Sequence, residues 1–260
     1  MSDMPAQDMP AKKREYRAPA LEKGLDVLEL LAAHRGGLTL AQISNALERS
    51  SSELFRMVQV LEARGYVGRA ADEDGLVLTN KLFALGMTRA PAKDLLEASL
   101  PVMRSVAQKI GQSCHLAVAS GDQMVVVARI EAPGDQGFSV RVGYRRQIVE
   151  ATSGLVLYAF QPDSIRTRWD EALKGGASAA TWKAFEASAV QARKDGYVRA
   201  DSYVTKAVVD LSVPIHGPDG VAAALTCPYV DTPTALPMAD TVAALKQAAA
   251  EITSEIRPTA

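Results

Sequence analysis

The chain has 260 residues, 48% of them hydrophobic and 23% charged, which is the composition of a globular protein of one large domain or two ordinary ones. A net charge of −1 argues against a nucleic-acid coat protein, but a local patch suffices for DNA binding, and residues 12–69 hold ten Lys/Arg against seven Asp/Glu. The N-terminus lacks an apolar signal region and no run approaches about 18 uninterrupted apolar residues, so neither secretion nor membrane insertion is expected and the cytoplasm is the natural address.

Residues 1–18 (MSDMPAQDMPAKKREYRA) are rich in Pro, Met and charge without periodicity, and they read as a disordered, solubilising tail. Ala20 to His34 carries Leu21, Leu25, Leu28 and Ala32 on one helical face, and Gly36-Gly37 stops it. Thr39 followed three residues later by Gln42 is a capping-box pair opening a helix with Leu40, Ile43 and Leu47 on one face. Ser50 and Glu53 repeat the device for a second helix, in which Leu54, Met57, Val58 and Leu61 form the expected buried stripe.

The other face of that second helix holds Ser52, Phe55, Arg56 and Gln59, again at i, i+3, i+4, i+7. These residue types suit a major groove. Arginine can fork onto guanine, glutamine can pair with adenine, and serine hydroxyls reach phosphates or base edges. Thr39, Ser50 and Ser51 at the two helix starts join this set, because free N–H groups there suit a phosphate. Gly65-Tyr66-Val67 then turns into a strand, AADEDG makes a polar turn and Leu76–Thr79 returns. A helix-turn-helix followed by such a hairpin is a winged helix. Arg69 on its first strand is placed to reach the phosphate backbone, or is a solvated wing charge.

Helical spacing resumes from Asn80 to Ala90, is interrupted at Pro91, and continues from Lys93 through Ile110. Its apolar face suits either a dimer contact or packing within the chain. From Ser113 the period changes to that of strands: Cys114–Ser120, Met124–Ile130 and an alternating Phe138–Val142. Helices follow from Thr152 to Phe160 and twice more before Gly196. Tyr197–Tyr203, Ala207–Ile215 and Val221–Cys227 are strand-like, and an Ala-rich helix from Leu236 to Ile256 closes the chain. Hairpins with interspersed helices indicate an α+β fold with a mostly antiparallel sheet flanked by helices. The domain division is then 1–18 tail, 19–79 winged helix-turn-helix, 80–92 linker helix and 93–257 C-terminal domain.

Cys114 and Cys227 lie in apolar strands and read as reduced core thiols. Among His34, His115 and His216 no metal-ligand spacing occurs, so no metal or cofactor is expected. No phosphate-binding glycine loop and no GxSxG elbow are present, and Cys114-His115 are strand neighbours on opposite faces. An enzyme is therefore not expected. The alternatives are a small-molecule enzyme domain, or a ligand-sensing module, whose winged helix serves dimerisation or protein contact.

In order along the chain, ALEKGLDVLELLA, GLTLAQISNAL, SSSELFRMVQVLEARGYV, LTNKLFALG, SCHLAVASGDQMVVVARI, FSVRVG, ATSGLVLYAF, ARKDGYVRADSY, VVDLSVPIHGPDG and AAALT resemble the IclR family of bacterial transcriptional regulators over nearly all of Ala20–Ile256. The resemblance implies a winged helix, a linker helix and a GAF-like effector domain. It also implies a homodimer or homotetramer bound to double-stranded operator DNA and a small-molecule effector, commonly an organic acid. It places Ser52 and Arg56 at a recognition-helix serine and arginine, and Phe55 where a histidine is frequent.

In the effector domain the resemblance puts Thr152, Ser153 and Gly154 on a pocket wall, where a helix N-terminus and two hydroxyls suit a carboxylate. Leu155 stands where a lysine is common, which weakens that case. Asp210 stands where Ser or Cys is common, and it favours a ligand with hydroxyls or an amine over a second carboxylate. Ser212 lies two residues further along the same strand. Of Thr226 and Cys227, alternation turns one inward. His115, Arg129 and Arg141 complete the candidate effector set, the two arginines as countercharge and His115 as a ligand contact or a core histidine.

Overall fold

The computed structural model describes residues 18–34, 36–70, 75–88, 90–133, 137–203, 205–233 and 235–256. The tail (1–17) and the wing tip (71–74) lie outside the described residues. Contacts divide the chain into two compact units, one ending at Thr88 and the other beginning at Arg89.

The first unit comprises α1 (Pro19–Ala33), α2 (Leu40–Ala46), α3 (Ser51–Ala63), β1 (Val67–Arg69), β2 (Leu76–Leu78) and α4 (Lys81–Met87). Thr39 caps α2 as expected: its hydroxyl accepts from the Gln42 N–H, and its own N–H donates to Gln42 Oε1 at 2.8 Å. The second capping box does not form. Ser50 makes no side-chain cap; its hydroxyl lies 3.3 Å from Ser52 Oγ, while Glu53 is drawn instead to Lys23 Nζ at 3.2 Å. That ammonium holds the Glu53 carboxyl below its usual range. The α2–α3 pair is fastened by Ser44 Oγ and Ser51 Oγ, 3.0 Å apart.

Val27, Leu31, Ile43, Leu54, Val58, Val67 and Leu76 form the core of this unit. The face of α1 differs from the expected one. Leu21 and Leu25 are exposed (63% and 48%), and Val27 and Leu31 are buried instead. The helix carries two apolar stripes: the one with Val27 and Leu31 is buried on Ile43 and Leu54, and of the expected stripe Leu28 packs against the same core while Leu21 and Leu25 do not. Leu21 and Leu25 line an open groove with Val60 and Leu82. β1 and β2 pair antiparallel, Val67 with Leu78 and Arg69 with Leu76, and Leu38 bridges onto Leu76. That bridge brings two backbones together: a Cβ on Gly37 would stand 2.8 Å from Gly75 Cα, so both positions need glycine.

The second unit begins with α5 (Ala90–Ile110). α4 ends at Met87, so the helix break precedes Pro91 instead of falling on it, and Pro91 sits in the first turn of α5, where a missing N–H costs nothing. A six-stranded antiparallel sheet follows, ordered β5-β4-β3-β8-β7-β6. Its strands are β3 (Cys114–Ser120), β4 (Gln123–Ile130), β5 (Arg145–Gln147), β6 (Val198–Asp201), β7 (Val209–Gly217) and β8 (Gly220–Tyr229). α5 and α9 (Met238–Ile256) cover one face, over Leu116, Leu211, Val213, Leu225 and Cys227. α6 (Thr152–Ala159) and α8 (Ala179–Asp195) cover the other, over Ala117, Met124, Val126 and Ala224; α7 (Asp163–Lys174) completes the order. The fold is α+β.

One expected strand is absent: Phe138–Val142 forms no ladder, and the edge strand is Arg145–Gln147. The segment is held to β4 only at its end, by Gly143 N–H donating to Val126 O and Val126 N–H to Tyr144 O. Its alternating side chains line a cavity instead of pairing.

Candidate functional sites

In the first unit α3 presents Ser52, Phe55, Arg56 and Gln59 together on one exposed face, with Phe55 49% exposed. Leu54 and Val58 hold the opposite stripe in the core, so the helix is anchored and its polar face cannot turn inward. Arg56 forms no ion pair among the described residues, which leaves its guanidinium available to an acceptor outside the chain. The remaining predicted residues are engaged locally. Ser51 ties to Ser44, Ser50 to Ser52, Thr39 caps α2, and Arg69 Nε pairs with Glu62 at 2.9 Å while staying 60% exposed.

In the second unit a cavity of about 210 Å³ opens between the sheet and the start of α6. Of the predicted residues, His115, Arg141, Thr152, Ser153, Asp210 and Thr226 line it. Strand register explains the floor. Thr226 stands opposite both His115 and Ser212, so these three share a row across β3, β8 and β7, with Asp210 two residues along on the same face. Ser212 is fully buried behind the lining and shares a hydrogen bond with Thr226 Oγ1 at 2.7 Å.

Cys227 faces the other way, into the α5–α9 core, where burial raises its thiol pKa. Arg129 is not on the cavity wall; its guanidinium, half-buried, pairs with Glu131 at 2.8 Å. Gly154 does not line the cavity either. A Cβ there would sit 2.3 Å from Ile148 O and 2.7 Å from Ile148 Cα, so its role is to let α6 approach the 3-10 turn Ile148–Glu150.

Thr152 does not cap its own helix. The N-cap is Ala151, no side chain caps α6, and the Thr152 hydroxyl donates across to Asp210 Oδ2 at 3.1 Å. The first-turn N–H groups thus lack a side-chain acceptor beside the cavity wall. Burial raises the Asp210 pKa, an effect that the Thr152 bond opposes. His115 is 4% exposed, its Nδ1 has no hydrogen-bond partner among the described residues, and burial lowers its pKa to about 4, so the ring is neutral at physiological pH.

The sequence reading missed Phe138, Tyr144, Arg146, Glu150 and Tyr203, all on the cavity wall. Arg146 carries most consequence. Its Nε is shut off from solvent without a hydrogen-bond acceptor among the described residues, although Glu150 Oε2 lies 3.4 Å away, close enough for charge contact but not aligned for a bond. Its guanidinium stands 5.0 Å from the ring centre of Tyr203. The Arg145-Arg146 dipeptide was the available signal, but nothing local showed which arginine turns inward.

A winged helix in one unit and a small-molecule-sized cavity in another define a two-part sensor and DNA-binding regulator. Residues 20–71 match the IclR helix-turn-helix domain and residues 88–254 the bacterial transcriptional regulator IclR C-terminal domain. The chain belongs to the IclR family of bacterial transcriptional regulators.

Among curated relatives, the "Probable transcriptional regulator SauR" of Cupriavidus necator is 28% identical over 149 residues, 57% of this chain and 59% of that protein. The transcriptional regulator KdgR of Escherichia coli is 25% identical over 54% of this chain and 52% of that protein. The chain thus spans little more than half the length of these relatives. An IclR homolog from Microbacterium hydrocarbonoxydans, solved in complex with 4-hydroxybenzoate, shares the fold with a TM-score of 0.76 at 23% identity, over 91% of this chain and 98% of that one. HmgR of Pseudomonas aeruginosa does so with a TM-score of 0.72 at 21% identity, over 92% of this chain and 100% of that one.

Proposed function

We propose that the protein is a cytoplasmic transcription factor that binds operator DNA through α3 and senses a small organic acid in the cavity beside α6. The observation that carries this reading is the cavity itself. It combines an uncapped helix N-terminus, the hydroxyls of Thr152 and Ser153 and two arginines with buried polar atoms that have no hydrogen-bond partner among the described residues. Buried polar groups without partners are costly, and a ligand carrying both a carboxylate and a hydrogen-bonding group would satisfy them. The 4-hydroxybenzoate bound by the Microbacterium relative is a ligand of that kind.

In the first unit, Ser52, Arg56 and Gln59 give α3 the donors and acceptors that major-groove edges require. A symmetric oligomer, dimer or tetramer, would place two such helices on two half-sites, and ligand binding would shift the DNA-competent population. Among the described residues no helix is long and apolar enough to cross a membrane.

The test is a thermal-shift screen of the purified chain against organic acids, polyols and amines, followed by operator titration with and without each hit. A saturable rise in melting temperature with an acid, accompanied by a change in operator affinity, is the expected result. Stabilisation by amines alone, or by acids with no effect on operator affinity, would refute the corresponding half of the proposal.

A further inference from the structure

We infer that Arg146 binds the effector's carboxylate, and that Glu150 competes with that carboxylate for the same guanidinium, so that this pair sets the site's preference for a single negative charge. This assignment rests on the reading above that the cavity takes an organic acid. It adds which side chain holds the acid and what opposes it.

Four arginines lie on or near β4 and β5, and three of them are less suited to the role. Arg129 is paired with Glu131, Arg145 is exposed and off the cavity wall, and Arg141 is on the wall but exposed to water. Only Arg146 is both on the wall and largely covered, with a side chain 27% exposed and its Nε screened from solvent. An ion in that position interacts more strongly than one in water, because less solvent screens it.

The curl of the sheet creates the position. β5 and β6 are the two outer strands of the sheet, yet Arg146 on β5 meets Tyr203 from the β6–β7 connection. The two edges therefore close over the cavity, joined by a guanidinium on an aromatic ring. A cation–π contact of this kind uses none of the guanidinium N–H donors, so a carboxylate can take two of them. Among the described residues none accepts a hydrogen bond from that plane.

Glu150 is the only carboxylate in charge contact with it among the described residues. At 3.4 Å and 51% exposed, the contact is long, misaligned and screened by water, so it contributes little stability. A carboxylate delivered inside the cavity would make the shorter, forked contact that Glu150 does not. The wall carries two arginines, Arg141 and Arg146, against two acids, Glu150 and Asp210. A monocarboxylate that displaces Glu150 into solvent leaves this balance intact. A second carboxylate would have to lie near Asp210 and is disfavoured.

The experiment is isothermal titration of the full chain with benzoate, phenylacetate, lactate and succinate, each paired with its amide, using wild type, Arg146→Met, Arg146→Lys and Glu150→Gln. Unfolding curves without ligand verify that each variant is folded. At least one monocarboxylate is expected to bind wild type well above its amide and above succinate. Arg146→Met should weaken that acid by about tenfold or more, with partial recovery in Arg146→Lys. Glu150→Gln should tighten it several-fold. This opposite sign is what a merely structural role for the pair would not produce.

Equal affinity of wild type and Arg146→Met for a binding acid would remove Arg146 as the anchor while leaving the organic-acid reading in place. Weaker binding by Glu150→Gln would show that Glu150 holds Arg146 in position and does not compete. If no carboxylate binds wild type, the organic-acid reading fails and this assignment falls with it.

Discussion

His115 should make the second unit lose stability on mild acidification. The ring is 4% exposed, Nδ1 has no partner among the described residues, and burial lowers its pKa from 6.5 to about 4. Between those values the unfolded chain binds a proton that the folded chain does not, so stability is complete above about pH 6.5 and falls as pH drops towards about 4. A gap of about two and a half pH units, at about 1.4 kcal/mol per unit, gives a loss of about 3 kcal/mol.

Asp210, on the same cavity wall, works in the opposite sense. Its raised pKa means that stability falls as pH rises through the window above 3.8, so the wild-type profile alone mixes the two effects. His115→Leu separates them, because it removes the imidazole, fills similar space and breaks no Nδ1 hydrogen bond. Urea unfolding followed by tryptophan emission is the assay. Both tryptophans, Trp169 and Trp182, belong to the second unit, so the signal reports that unit alone. The wild-type curve should lose about 3 kcal/mol relative to the variant between about pH 7 and pH 4. Parallel profiles would refute the reasoning and mean that the folded protein accommodates a charged imidazole.

Three further substitutions test the sites. Arg56→Ala should weaken specific operator binding by about 1–3 kcal/mol in gel-shift titration while leaving effector binding intact, and unchanged affinity would take Arg56 out of the readout. Asp210→Asn keeps the shape of the group but removes its charge. It should change the ligand dose-response and relax discrimination against dicarboxylates without altering operator affinity measured without ligand; a wild-type dose-response would place Asp210 outside recognition. Gly154→Ala sets two effects against each other. Helix propensity favours alanine by about 1 kcal/mol, but the new Cβ would meet Ile148 backbone atoms at 2.3 and 2.7 Å, and the clash should win, destabilising the second unit by about 1–3 kcal/mol in urea unfolding.

Features set by neighbours within a few residues were legible from the sequence. The Thr39–Gln42 capping box depends on two residues three positions apart and is present; the second box fails because Lys23, distant in sequence, captures Glu53. The same limit explains α1. Its spacing shows that the helix is amphipathic, but only Ile43 and Leu54 decide that Val27 and Leu31 face the core while Leu21 and Leu25 do not. Alternation along Phe138–Val142 is real, but a strand also needs a partner, and that edge of the sheet pairs through Arg145–Gln147 instead.

The cavity divides along the same line. Alternation along β8 narrows the choice to one of Thr226 and Cys227, and Asp210 comes from the family resemblance; only the pairing of β8 with β3 and β7 shows that Thr226 shares a row with His115 and Ser212, on the face that carries Asp210. Arg146 could not be placed from the sequence, because it belongs to a three-residue strand and its environment is made by Tyr203, which the curl of the sheet brings across from the opposite edge. A sequence lacking the expected lysine after Gly154 therefore looked short of countercharge. The folded chain supplies a cation from β5, against the same cavity as the α6 N-terminus. What replaces that lysine is countercharge from elsewhere on the wall, Arg141 from the segment before β5 and Arg146 from β5 itself, the latter held against Tyr203 of the β6–β7 connection.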